Sequence, residues 1–167
     1  MAYRNKTYVC FDGDNDIHYY RLMQAWSENK SMDFRFYDAH DLNTARDTSH
    51  KASIKAQLRE RFANSKLLLV LIGEKTRYLT KFVKWEMEVA LRLGLPVIGV
   101  NLNGERQQSK LCPGAIRDEL ALHVAYGQRI ISHAMVNWPA DHDRLNHEQR
   151  TGPYFYRDSV YTNLGVR

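Results

Sequence analysis

The feature that most limits how this chain can fold is an uninterrupted apolar segment near its middle. Residues 67–72 read Leu-Leu-Leu-Val-Leu-Ile, with no polar side chain among them. A strand with one solvated face would alternate apolar and polar residues, whereas a strand covered on both faces is apolar throughout. We therefore predict a strand over residues 66–72 that lies inside a parallel sheet, with helices on both faces of that sheet.

The segments on either side of this strand alternate between strand-like and helix-like patterns. Strands are predicted over residues 7–11, 33–37 and 96–100, and helices over residues 17–29, 49–64 and 81–93. Ser49 is a suitable N-cap for the second helix, and Gly94 is a suitable stop for the third. The β-α-β-α-β-α-β order predicts an α/β fold with right-handed crossovers. We expect a flavodoxin-like three-layer sandwich around a parallel sheet of about five strands in the order 2-1-3-4-5.

The C-terminal third carries weaker patterns. A helix is expected within residues 113–122 and a fifth strand over residues 129–136, and beyond Asn137 the pattern fades into a polar extension. A length of 167 residues favours one domain with its own hydrophobic core. The prediction is a single domain over residues 1–167, with its core at about 6–136 and a C-terminal extension at 137–167 whose structure the sequence pattern does not define.

Composition narrows the classes of function. No apolar run approaches the ~18 residues needed to span a bilayer, and residues 1–6 lack the apolar stretch of a signal peptide, so a cytoplasmic protein is expected. Cys10 and Cys112 are too few for a disulfide framework, and Cys10 is predicted to be a buried free thiol. The net charge of +5 comes from scattered basic residues, so nucleic acid is not the expected partner.

One carboxylate on the third predicted helix is out of place. Glu86 falls within an apolar stripe at three- and four-residue spacings, formed by Phe82, Val89 and Leu93. A carboxylate on such a face is costly to bury without partners. Glu88 has Lys84 and Arg92 four residues away on either side, which is typical of a solvated charge ladder. Glu86 is therefore either a functional residue or a partly buried structural carboxylate, paired with an arginine or capping a loop.

The sequence around Glu86 resembles a known family. Residues 81–86, Lys-Phe-Val-Lys-Trp-Glu, resemble the W-C-x-x-E segment of TIR domains, with Phe82 at the Trp position and Val83 at the Cys position. With residues 71–76, Leu-Ile-Gly-Glu-Lys-Thr, they are similar to the I-G-x-x-T … W-V-x-x-E pattern of TIR-like proteins from bacterial Thoeris antiphage systems.

The resemblance extends over about residues 6–103. Residues 9–12, Val-Cys-Phe-Asp, match the family's first strand, which ends in F-S-[FY] or similar. The chain departs from the pattern at Asp12, where many members have Ser, and at Phe82, where they have Trp. The C-terminal third has no counterpart in the pattern.

The resemblance implies an enzyme that hydrolyses or cyclises NAD⁺ at the nicotinamide–ribose bond, with Glu86 as the catalytic carboxylate. Such a carboxylate can stabilise the oxocarbenium-like transition state. The resemblance thus implies that NAD⁺ is the substrate and that neither a cofactor nor a metal is required. Residues 38–48 would cover the site. The side chains implied to contact the substrate are Phe11, Asp12, Gly13, Asp14, Asp38, Thr76, Phe82 and Trp85. Thoeris relatives release a signalling nucleotide that activates a separate effector protein, so such a partner is implied, and self-association is left open.

A non-catalytic alternative belongs to the same fold. A TIR-like scaffold, or a module that only binds a nucleotide, would share the architecture, because a fold does not carry its function with it. Glu86 discriminates between the two, since a scaffold has no need for a carboxylate on a core-facing stripe.

Other motifs are weaker. Asp12-Gly-Asp14 resembles the D-x-D nucleophile of haloacid-dehalogenase phosphatases, but that class and receiver domains need a further acidic pair for Mg²⁺, and Asn101 and Asn103 follow the fourth strand instead. Residues 73–76 lack the glycine spacing of a P-loop. No cysteine pair accompanies the later histidines, which are expected to be solvated residues and not zinc ligands: His123, His133, His142 and His147.

Overall fold

A computed structural model describes residues 5–32, 34, 37–38 and 51–167. Its strands form one sheet in the order β2-β1-β3-β4-β5-β6, and every neighbouring pair is parallel. The strands are β1 (Lys6–Cys10), β2 (Tyr37–Asp38), β3 (Leu67–Ile72), β4 (Val97–Asn101), β5 (Ala121–Ala125) and β6 (Pro153–Phe155). The α/β flavodoxin-like class and the 2-1-3-4-5 order are confirmed, and a sixth strand is added at the β5 edge.

Helices cover both faces of this sheet. They are α1 (Ile17–Glu28), α2 (Lys51–Phe62), α3 (Phe82–Arg92), α4 (Gly114–Arg117), α5 (Gln128–His147) and α6 (Asp158–Asn163), with a short 3₁₀ turn at Thr76–Tyr78. Buried residues of α1, α5 and α6 form one hydrophobic core, and those of α2, α3 and α4 form a second. We call the first the α1/α5 core and the second the α2/α3 core. With the sheet between them, they make the three-layer sandwich that the sequence predicts. Within the described ranges, no helix is both long enough and apolar enough to cross a bilayer.

Strand β3 is the central element of this arrangement. All six of its residues are buried, and it pairs with β1 on one side and β4 on the other. Leu67, Leu69 and Leu71 face the α1/α5 core, while Leu68, Val70 and Ile72 face the α2/α3 core. The predicted interior parallel strand is confirmed, and its side chains contribute to both hydrophobic cores.

The prediction of a fifth strand over residues 129–136 is wrong. These residues belong to α5, and the fifth strand is Ala121–Ala125. Short apolar runs do not distinguish strand from helix by periodicity alone. The longer stretch shows buried side chains on one helical face, at Ile130, Ile131, Ala134, Met135 and Trp138. The helix expected within residues 113–122 is a single turn, α4.

The C-terminal extension completes the α1/α5 core. Tyr161 on α6 is fully buried, and its hydroxyl oxygen accepts a hydrogen bond of 3.1 Å from the backbone N–H of Ala125. Leu145, near the end of α5, is buried in the same core. The core therefore extends past residue 136, where the sequence pattern becomes difficult to follow.

The expectation that the later histidines are solvated is wrong for two of the four. His123 in β5 is fully buried and His142 in α5 is 7% exposed, whereas His147 is exposed. Burial lowers the pKa of His123 to about 4, so its ring is neutral at physiological pH. Gly99 faces this ring from β4, and a Cβ there would lie 2.8 Å from Nδ1 of His123. The ring thus occupies the space left by a glycine.

The N-terminal half agrees with the predicted elements where it is described. The third helix and its left-handed stop at Gly94 (φ 71°) are confirmed, and Cys10 is a buried free thiol. Of the predicted second strand at residues 33–37, β2 begins at Tyr37 and runs to Asp38, and residues 33, 35 and 36 lie outside the described part of the chain. The predicted cap Ser49 and most of the predicted loop over residues 38–48 lie outside the described residues.

Candidate active site around Glu86

Glu86 lies on the face of α3 that packs against β1. Its side chain is 7% exposed, and its Oε1 accepts a hydrogen bond of 3.0 Å from the hydroxyl of Tyr8. Burial and the nearby carboxylate raise the pKa of Tyr8, so the hydroxyl keeps its proton and stays a donor. The thiol of Cys10 faces the same carboxylate, and its Sγ also lies 3.6 Å from the carbonyl oxygen of Val83.

The second oxygen of Glu86 differs from the first. No hydrogen bond to Oε2 comes from any residue in the described part of the chain. Burial raises the pKa of Glu86 to about 7, against the opposing effects of hydrogen bonding from Cys10 and Tyr8 and of the charge of Arg61. The site therefore holds a carboxylate that ionises near neutral pH, with one oxygen buried and without a hydrogen-bond donor among the described residues.

Glu88 is in a different environment. Its carboxylate lies 3.9 Å from Nζ of Lys84, and its side chain is 29% exposed. Two positions along a helix correspond to roughly 200° of rotation, which accounts for the difference between the two glutamates. The buried face of α3 differs from the predicted apolar stripe at its C-terminal end. Leu93, which the sequence predicts to face inward, is 48% exposed, and Ala90 is buried.

The carboxylate of Asp12 is used by its own loop. It is buried at the end of β1, and its Oδ1 accepts hydrogen bonds from the backbone N–H groups of Asp14 (3.0 Å) and Asn15 (3.3 Å). Its Oδ2 accepts one of 2.7 Å from the side-chain amide of Asn15. Gly13 and Asp14 are exposed at the tip of the loop. Asp12 thus fixes the loop that follows β1, while Gly13 and Asp14 face outward.

Two further residues of the expected substrate set are buried within the fold. The ring of Phe11 stacks on Tyr20 with centroids 4.6 Å apart, in the α1/α5 core. The hydroxyl of Thr76 accepts a hydrogen bond of 2.9 Å from the N–H of Gly73 and lies 3.3 Å from the carbonyl oxygen of Leu71, to which it donates. Both residues hold the strand ends in place.

The remaining expected residues lie on α3 and β2. Phe82 and Trp85, both half-buried, pack edge to face with centroids 5.5 Å apart, on the helix that carries Glu86. Asp38 is in β2, and its side chain is outside the described residues. Glu86, Phe82 and Trp85 therefore share one helix, while Tyr8 and Cys10 are partners that the sequence reasoning missed. Tyr8 and Cys10 are two positions apart on β1, so their side chains lie on the same face of the strand, and this spacing could have identified them as a pair.

A cavity of about 370 Å³ opens where β1, β3 and β4 end. We call it the strand-end cavity; its walls come from the loops after these strands and from the start of α1, including Asp16, His18, Tyr19, Glu74, Lys75 and Leu102. Glu86 does not line it. Ligands of open parallel sheets bind at this edge, where the strand order changes direction. In the described ranges, no group of three His, Cys, Asp or Glu residues is placed to hold a metal ion.

The parallel sheet in the order 2-1-3-4-5, with a buried glutamate on the third helix, defines a TIR-like α/β domain. Residues 8–107 match the family model for the TIR-like domain of the Thoeris protein ThsB, and the chain belongs to this family. A solved structure, described as a conserved protein from Enterococcus faecalis V583, is similar at 14% identity, covers 96% of this chain and 97% of its own, and has a TM-score of 0.40. Among curated proteins, none matches this chain.

Proposed function

We propose that this protein cleaves NAD⁺ at the nicotinamide–ribose bond, by hydrolysis or cyclisation, and that the ADP-ribose-derived product acts as a signal in antiphage defence. The observation that carries the proposal is the state of Glu86: a nearly enclosed carboxylate that Tyr8 orients through one oxygen, while the other oxygen receives no hydrogen bond from the described residues. Membership in the Thoeris TIR-like family supports the defence context.

The chemistry suits a single carboxylate. Nicotinamide leaves as a neutral molecule, and positive charge develops on the ribose ring as the bond breaks, as in glycoside cleavage. An anionic Glu86 would stabilise that charge, and Oε2 would accept a hydrogen bond from a ribose hydroxyl. Burial strengthens this interaction because the local dielectric constant is lower than that of water.

The raised pKa of Glu86 is compatible with an anionic role. The nicotinamide ring of NAD⁺ is positively charged, and a positive charge beside a carboxylate favours the ionised form. Substrate binding would therefore lower the pKa of Glu86 and produce the catalytic anion where it is needed. Phe82 and Trp85, on the same helix, are proposed to contact the substrate near this carboxylate.

The loop residues of the expected substrate set remain part of the proposal. Gly13 and Asp14 are exposed and would offer polar contacts, and Asp12 would act by holding their loop. The buried Phe11 and Thr76 would act in the same indirect way, by fixing the strand ends. Asp38, in β2, also stays in the proposed substrate set.

The experiment is to incubate the purified full chain with NAD⁺ and identify the products by mass spectrometry, alone and in lysate from phage-infected cells. Release of nicotinamide with ADP-ribose, or with a cyclic or conjugated form of it, supports the proposal, provided that Glu86→Gln reduces this release by on the order of 10²–10³. Adding the product mixture to a candidate effector protein then tests the signalling step. NAD⁺ that stays intact under both conditions contradicts the enzymatic proposal.

A second candidate is a non-catalytic TIR-like scaffold or nucleotide-binding module. The observation in its favour is that Glu86 already has a structural partner in Tyr8 and is almost fully enclosed. If the protein is a scaffold, Glu86→Gln would change its stability and its self-association, and neither the wild type nor the variant would cleave NAD⁺.

A further inference from the structure

The outer surface around the start of α3 is strongly basic. Residues 75–85 contain no acidic side chain but several exposed basic ones: Lys75, Arg77, Lys81 and Lys84. Arg77 lies in the 3₁₀ turn Thr76–Tyr78, and Lys81 occupies the N-cap position of α3, three residues after that turn. The turn and the first turn of α3 therefore carry positive charge on one continuous piece of surface.

A second loop adds to this surface. Nη1 of Arg77 donates a hydrogen bond of 3.1 Å to the backbone carbonyl oxygen of Lys110, in the segment between β4 and α4. The contact brings the exposed Lys110 next to the 3₁₀ turn, although 33 positions of sequence separate the two residues. We define the basic α3 surface as the following five residues: Arg77, Tyr78, Lys81, Lys84 and Lys110.

The fold leaves most of this charge without a counter-charge. Among the described residues, no carboxylate forms a salt bridge with Arg77, Lys81 or Lys110. At the border of the surface, the carboxylate of Glu88 lies 3.9 Å from Nζ of Lys84. Arg144 on α5, by contrast, has a carboxylate 3.6 Å away on each side along its helix. A group of like charges that the fold does not neutralise attracts a partner carrying several negative charges.

An exposed aromatic ring lies among these charges and indicates which kind of polyanion fits. Tyr78 is 64% exposed, more than any other large hydrophobic side chain of the described residues. The guanidinium carbon of Arg77 lies 4.9 Å from the centroid of its ring. Such a pair suits a nucleotide, whose base stacks on the ring while its phosphate lies near the cation. An acidic peptide offers no such flat face, and a duplex keeps its bases stacked inside, so the ring favours a single strand.

We propose that the basic α3 surface binds single-stranded nucleic acid, with phosphates at its cations and a base stacked on Tyr78. The basic residues are scattered along the sequence as a whole, and only the fold adds Lys110 to the others. The surface shares no residue with the strand-end cavity and lies outside the buried side chain of Glu86. Binding at this surface does not depend on NAD⁺ cleavage.

Fluorescence anisotropy of a labelled polythymidine strand, titrated with the full chain, measures this binding. Contact with three or four phosphates gives a slope of roughly −2 to −3 for the logarithm of the association constant against that of salt concentration. Arg77→Ala/Lys81→Ala should weaken binding by about tenfold or more at low salt and make the slope shallower by about 1 to 1.5. Arg21→Ala/Lys30→Ala is the matched control. It removes the same charge at exposed positions within and just after α1, on the opposite face of the sheet, and should change affinity by less than about twofold.

Tyr78 distinguishes nucleic acid from other polyanions. Tyr78→Ala should weaken binding by about fivefold or more, whereas Tyr78→Phe keeps the ring and should stay within about twofold of the wild type. The side chain is exposed, so neither substitution should disturb the fold. No binding of polythymidine at low salt would overturn the proposal, as would equal losses in the two double variants or an unchanged affinity in Tyr78→Ala. Equal or tighter binding of polyglutamate, of a DNA duplex or of phosphatidylserine vesicles would also overturn it.

Discussion

The hydroxyl of Tyr8 donates a hydrogen bond of 3.0 Å to Oε1 of Glu86, joining the middle of β1 to α3 across 78 positions of sequence. Both groups are buried, and a hydrogen bond to an ionisable group in such surroundings is stronger than one at the surface. The bond fixes the direction of the carboxylate and favours its ionised form. It therefore connects the packing of the α2/α3 core to the chemistry proposed for Glu86.

Removing the Tyr8 hydroxyl should change the pH dependence of NAD⁺ cleavage. The hydrogen bond from Tyr8 lowers the pKa of Glu86, so Tyr8→Phe should raise that pKa and move the acidic limb of the rate profile to higher pH. We expect kcat/KM at neutral pH to fall by roughly tenfold, the usual cost of losing one hydrogen bond to a charged group. The measurement is kcat/KM for NAD⁺ against pH; a profile that coincides with the wild type would contradict the positioning role of Tyr8.

The two glutamates of α3 form a matched pair of test positions. If Glu86 stabilises the oxocarbenium charge, Glu86→Gln should reduce turnover by on the order of 10²–10³, the cost of removing one preorganised electrostatic group. Glu88→Gln weakens a partly exposed pairing with Lys84, of a kind worth about 0.3–0.5 kcal/mol, and should leave the rate nearly unchanged. Turnover is measured at equal concentrations of folded protein. Equal effects of the two substitutions would remove the main support for a catalytic Glu86.

The stability of the fold should report the ionisation of Glu86 separately from activity. Its pKa is about 7 in the folded protein against 4.5 in the unfolded chain. As pH rises, the unfolded chain therefore loses this proton before the folded protein does. The free energy of unfolding falls as a result, and the fall levels off above pH 7. Relative to Glu86→Gln, the wild type should lose about 2–3 kcal/mol of unfolding free energy between pH 5 and pH 8. Urea denaturation of both proteins at several pH values gives this difference, and two parallel stability curves would refute the raised pKa.

Asp12 is expected to act through its loop and not as a nucleophile. Asn in its place keeps one acceptor but brings an amide donor towards the amide of Asn15, so Asp12→Asn should lower stability by about 1–2 kcal/mol. Part of the NAD⁺ cleavage should survive, and the wild type should show no Mg²⁺-dependent phosphatase activity. Detection of a phosphorylated Asp12 by mass spectrometry after incubation with a phosphate ester would reverse this assignment.

The sequence predicts most of the central strands and helices well, because local patterns of apolar residues determine them. The apolar run of β3 and the helical spacing of α3 each have one good structural interpretation, and together they place Glu86 on an inward face. The interpretation of residues 129–136 failed because Ile130 and Ile131 are compatible with either element, and only the later Trp138 reveals the helical spacing.

The parts of the candidate sites that the sequence leaves open depend on long-range contacts. Tyr8 meets Glu86, and Gly73 makes room for Asp16, only once the parallel sheet brings β1 and β3 together. Asp16 in particular reads as one more acidic residue in a polar loop. Its burial follows from packing against the turn after β3, which no local pattern around residue 16 describes.

His123 should make the fold sensitive to acid. Its ring is fully buried against Gly99, and no described residue hydrogen-bonds to either ring nitrogen, so the charged form is strongly disfavoured in the folded protein. Burial lowers the pKa of His123 to about 4 from 6.5, so the unfolded chain binds a proton first as pH falls. The stabilisation is present above pH 6.5 and is lost as pH falls towards 4, by about 2 kcal/mol between pH 7 and pH 5. His123→Leu should remove this part of the acid sensitivity, whereas His147→Leu, at an exposed position of α5, should leave it in place. Unfolding free energies of the three proteins at pH 7 and pH 5 test this, and an acid-induced loss that is the same in wild type and His123→Leu would show that His123 does not titrate on unfolding.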